Sequence, residues 1–101
     1  MKAVGKMSLL ELCVQRTGRH VAGARLAAFI VSWGRCRDDL GRSPTVEEYA
    51  DWWKQPYATA YREQAEFREA FAPLKTPDPV LDHMASEGLG EVVDPDQLQP
   101  A

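Results

Sequence analysis

The stretch at positions 45–71, TVEEYADWWKQPYATAYREQAEFREAF, decides how this chain folds. Thr45 and Glu48 stand three apart, the spacing at which a hydroxyl and a carboxylate each satisfy an orphan backbone N–H of the other at a helix start, and Pro44 precedes them. The spacing predicts a helix over 46–53, with Tyr49, Trp52 and Trp53 as its inward aromatic face. Pro56 suits the first turn of a helix and disfavours helical geometry at Gln55, so Lys54-Gln55-Pro56 reads as a break. A second helix is expected over 57–72, closed by Pro73, with Ala60, Gln64, Phe67 and Phe71 along one face. Two helices joined by a tight turn therefore form the centre of the chain.

Outward from this pair, Ser8 and Glu11 repeat the capping arrangement and predict a helix over 9–16, ended by Thr17-Gly18. From 21 to 39, Ala22, Leu26, Phe29, Ile30, Trp33, Arg37 and Leu40 recur at spacings of three and four, the stripe of a central core helix. Gly41 stops it and Arg42-Ser43-Pro44 links it onward. Thr76-Pro77-Asp78-Pro79 opens a last helix over 80–87, with Asp78 as its cap and Gly88 as its stop. No alternating strand pattern is present. The chain is expected to be all-α: a small bundle of about five helices containing a helix-turn-helix-like pair at 45–72. The domain spans 8–88, between a flexible N-terminus at 1–7 and an acidic flexible tail at 89–101.

With 101 residues the chain has room for a modest core and not for a large buried active site. Its 45% hydrophobic content, with three each of Trp, Tyr and Phe, is that of a folding domain. The richest apolar run, from Leu26 to Trp33, is bracketed by Arg25 and Arg35 and is too short to span a bilayer, and no signal peptide is legible. A cytoplasmic protein without membrane contact is expected. Cys13 and Cys36 form no CxxC and have no histidine at ligand spacing, so both read as reduced core residues, and no metal or cofactor is expected. His20 and His83 receive no role. Up to Thr45 eight basic residues face three acidic ones, a net +5, whereas from Val46 four face twelve, a net −8. The first half is the expected face for an anion. The acidic end reads as a solvating tail, a self-inhibitory mimic of nucleic acid, or a contact for a basic partner.

The 45–71 segment resembles helix-turn-helix DNA-binding regulators of the bacterial or phage type, in which a helix beginning T-x-E-E-x-A is followed by a turn and T-A-Y-R. The matching residues are Thr45, Glu47, Glu48, Tyr49, Ala50 and Trp53, then Thr59-Ala60-Tyr61-Arg62. Departures fall at Lys54, where the motif has glycine, at Gln55, where it has an apolar residue, and at Glu63-Gln64, where it buries a large aliphatic. The resemblance implies that the helix starting near Tyr57 enters the major groove of double-stranded DNA. Gln55, Tyr57, Ala58, Thr59, Tyr61 and Arg62 are then the candidates for base contact, with Arg62 on guanine and Gln55 on adenine. Arg16, Arg19, Arg42, Thr45 and Lys54 are candidates for the DNA backbone. The competing readings are an Arg62–Glu66 pair along the helix, tyrosines at the core margin, and solvated surface charges. A homodimer is expected, because Trp33, Trp52, Trp53, Phe67 and Phe71 offer more apolar area than a small core needs. The residues assemble no catalytic constellation, so the alternative to a transcription regulator is a helical adaptor docking a basic partner through its acidic half.

Overall fold

The computed structural model describes residues 7–87 and 92–93. In chain order they form β1 (Met7–Ser8), α1 (Leu9–Thr17), α2 (His20–Leu40), α3 (Val46–Trp53), α4 (Tyr57–Ala70), α5 (Asp78–Glu87) and β2 (Val92–Val93). The described residues are thus an all-α bundle of five helices. Both capping boxes form: Ser8 Oγ accepts from Glu11 N–H at 3.1 Å, and Thr45 Oγ1 accepts from Glu48 N–H at 3.1 Å. Gly18 and Gly41 close α1 and α2 in the left-handed conformation, at φ 76° and 74°.

Helix α2 is the axis of the core. Leu26, Phe29, Ile30, Trp33 and Cys36 are buried on it, and α1 lies against it with Val14 packed onto Gly23. The Phe29 ring meets Tyr49 of α3 edge-on at 5.4 Å and Phe67 of α4 at 6.3 Å, while Phe67 stacks on Phe71 at 4.9 Å. Trp33 completes the aromatic centre against Tyr49 at 5.3 Å. Both cysteines are buried and free, and burial pushes the Cys13 thiol up to about 12.

Several expectations need correction. The α2 stripe ends before Leu40, which is 40% exposed, and Arg37 leaves the stripe to bind acids of α5. Trp53 is 46% exposed rather than inward, whereas Trp52 is half-buried against the core as expected, its Nε1–H donating to Asp39 at 2.6 Å. Helix α4 stops at Ala70, because Ala72 precedes Pro73 and is pushed out of helical geometry. Helix α5 starts at Asp78, two residues early, its first turn closed by the Leu81 N–H donating to the Pro77 carbonyl at 3.0 Å, and the Asp78 carboxylate holds other elements. It accepts from Trp33 Nε1–H at 3.0 Å, from Arg37 at 3.2 Å and from Ser43 Oγ–H. A strand pair exists where none was expected: β1 and β2 run antiparallel, Met7 opposite Val93 and Ser8 opposite Val92. The flexible segments expected at 1–7 and 89–101 lie otherwise outside the described residues.

Candidate nucleic-acid interface

The turn between α3 and α4 positions every residue proposed for base contact. Lys54 adopts φ 59°, ψ 45°, the left-handed conformation that the motif gives to glycine. Gln55 N–H reaches back to the Ala50 carbonyl at 3.0 Å and Lys54 N–H to that of Asp51 at 3.2 Å, the paired closure of a Schellman turn. Pro56 then initiates α4. The Pro56 carbonyl accepts from Thr59 and Ala60 N–H at 3.1 and 3.2 Å, but no side chain caps the helix and no acid stands in its first turn. Helices α1 and α3, by contrast, carry both a hydroxyl cap and first-turn acids. The start of α4 therefore keeps its uncompensated positive end.

Two rungs fix α4 against α3. The Tyr57 hydroxyl donates to Asp51 at 3.2 Å and the Tyr61 hydroxyl to Glu47 at 3.0 Å. Both phenols are held above their ordinary range, first by these hydrogen bonds to carboxylates. Neither ring is core: Tyr57 is 45% and Tyr61 47% exposed. On the other flank Gln55 Nε2–H donates to Glu63 at 3.1 Å. Two departures from the motif thus complement each other, a polar pair standing where the motif has apolar residues.

The outward row of α4 is Ala58 and Arg62, both exposed. Arg62 makes no ion pair among the described residues, so the alternative pair with Glu66 is not formed. Thr59 is half-buried. Gln55 is half-buried, its Nε2–H committed to Glu63.

The backbone candidates separate. Lys54 and Arg19 are exposed, with side chains unpaired among the described residues. Thr45 is exposed but its hydroxyl caps α3. Arg42 is held by the Glu48 carboxylate through both guanidinium nitrogens, which draws the Glu48 carboxyl down to about 2. Arg16 lies at the far end of α4, donating to the Ala70 carbonyl at 3.5 Å with its guanidinium 5.0 Å from the Phe71 ring centre. At 1.5 Å rise per residue this is roughly 20 Å along the helix from Tyr57. One cation escaped the sequence reading. Arg25 of α2 lines a small cleft together with Arg62, Glu63 and Glu66, and also a second cleft of about 210 Å³ beside Trp53 and Gln55. Its place on the flank of a core stripe gives no local signal of proximity to α4.

No group of three or more His, Cys, Asp or Glu among the described residues is arranged to hold a metal. No helix among them is long and apolar enough to cross a membrane. Comparison with protein-family models, with curated proteins and with solved structures gives no match to this chain.

Proposed function

We propose that this chain is a sequence-reading, double-stranded DNA-binding regulator that inserts the start of α4 into the major groove. It acts by occupying a site and blocking or recruiting polymerase. The observation that carries the reading is the left-handed turn at Lys54. It sets an uncapped, acid-free helix start outward, with Ala58, Arg62 and the edges of Tyr57 and Tyr61 exposed. Lys54, Arg62 and Arg25 supply positive charge around that start, and the Tyr57 and Tyr61 hydroxyls each donate to one oxygen of the exposed Asp51 and Glu47 carboxylates.

The test is binding to a mixed-sequence duplex at low salt, followed by the dependence of the binding constant on salt. Retardation with a log–log slope of several is expected, and Arg62→Ala reduces the slope by about 1. A slope near zero without retardation overturns the reading. It favours instead the adaptor, for which the surface carries its own support: Tyr57 and Tyr61 lie exposed beside Glu47 and Asp51, the aromatic and acidic make-up of a face for a basic protein.

A further inference from the structure

A site for a small molecule is concave, largely apolar, and carries a few convergent polar groups. The cleft of about 210 Å³ between α2, α3 and α4 has this make-up. Phe29, Ser32 and Tyr49, all buried, form its floor. Burial, and next the Glu63 charge, hold the Tyr49 phenol above its ordinary range, which sets the Glu63 carboxylate near that hydroxyl. The indole of Trp53 is a wall. Of the aromatics first expected to form a dimer surface, Trp33, Phe67 and Phe71 are buried within the chain and Trp52 is half-buried, which leaves Trp53 alone largely exposed.

Two charges of opposite sign line this cleft and leave each other unpaired. Glu63, half-buried, accepts from Gln55 Nε2–H on one carboxylate oxygen at 3.1 Å, and its other oxygen has no side-chain donor among the described residues. Arg25, exposed, makes no hydrogen bond or ion pair among them. We infer that the cleft binds an α-amino acid with an aromatic side chain: the carboxylate on Arg25, the ammonium on the open oxygen of Glu63, the ring against Trp53. The charges select this class. An amine without a carboxylate meets Glu63 but has Arg25 as a like charge, and an acid without an amine pairs with Arg25 but faces Glu63. A ligand with both signs on neighbouring atoms answers both at once. The adjoining small cleft adds Arg62 and Glu66, one of each sign, and so leaves this balance as it is. The volume lies below the roughly 300–1,000 Å³ of drug-sized sites, which limits the ligand to a single small unit. The inference does not rest on DNA reading by α4.

Titration of the full chain with L-phenylalanine, followed at the Trp53 indole N–H in nitrogen–proton correlation spectra, tests it. A dissociation constant of about 1 mM or tighter is expected. Phenethylamine, which lacks the carboxylate, and phenylpropionate, which lacks the amine, are each expected to bind roughly tenfold or more weakly, as loss of a charge-assisted hydrogen bond does. Arg25→Gln weakens L-phenylalanine by the same factor and does not weaken phenethylamine. Glu63→Gln also weakens L-phenylalanine, does not weaken phenylpropionate, and keeps a carbonyl oxygen for Gln55. The analogue series needs no substitution, so it decides even where a variant fails to fold. No shift of the Trp53 indole at about 10 mM ligand, an analogue that binds as tightly as the amino acid, or an affinity indifferent to both substitutions overturns the inference. A chain that binds L-phenylalanine and fails to retard DNA leaves it standing and sinks only the α4 reading.

Discussion

Lys54 is a lysine in a backbone conformation that suits glycine, at φ 59°. Holding an L-residue there costs about 1 to 2 kcal/mol, against which glycine loses more chain entropy on folding. Lys54→Gly is therefore expected to stabilise the fold by about 0.5–1 kcal/mol in urea unfolding. If Lys54 meets a phosphate, the same change weakens DNA binding and lowers the salt slope by about 1. Lys54→Ala keeps the strain but removes the charge, so it lowers binding equally without the gain in stability. Equal DNA affinity for parent, alanine and glycine chains removes Lys54 from the interface. From the sequence alone, Lys54 and Gln55 read as departures that weaken the motif. The backbone takes the motif's path at Lys54 regardless, and Gln55 finds its partner in Glu63, a pairing between helices that no local pattern announces.

Between elements, α1 comes tightly onto α2 at Gly23. A Cβ added at Gly23 would stand 2.6 Å from the Cα of Val14. Gly23→Ala is expected to cost about 1–3 kcal/mol by overpacking, although alanine favours a helix interior by about 1 kcal/mol. A Cβ at Gly34 would meet only the Leu81 side chain, at 3.0 Å. Leu81 can turn away, so Gly34→Ala is expected within about 1 kcal/mol of the parent. Urea midpoints of the two variants check the contrast, and equal midpoints refute it. Helix starts were legible where a hydroxyl and a carboxylate report each other, at Ser8–Glu11 and Thr45–Glu48. The face of α3 was not, because a short helix with Tyr49, Trp52 and Trp53 admits more than one inward set. The β1–β2 pair, two residues a side, is too short to show any period.

Across the described residues, part of the basic first half of the sequence is spent inside the fold. Three of its arginines are taken up by long-range partners: Arg16 by the Ala70 carbonyl and Phe71, Arg37 by Asp78 and Asp82, Arg42 by Glu48. A net +5 counted along the chain could not reveal this, since each pairing joins residues distant in sequence or across a turn. Asp78 shows how far such pairings hold the fold. It draws together the indole of Trp33, the guanidinium of Arg37 and the hydroxyl of Ser43, fastening α5 to α2 and to the loop before α3. Trp33 is fully buried, so Asp78→Ala leaves its Nε1–H without that acceptor, a loss of roughly 1–3 kcal/mol. Asp78→Asn keeps an acceptor oxygen and gives up the charge, and it should lose less. The check is urea unfolding with hydrogen exchange of α5. Global destabilisation by Asp78→Ala, with early exchange in α5 and less of both for Asp78→Asn, is the expected order. Two variants of parental stability would show that the apolar burial of α5 around Val80, with the Arg37–Asp82 pair, is enough to hold it in place.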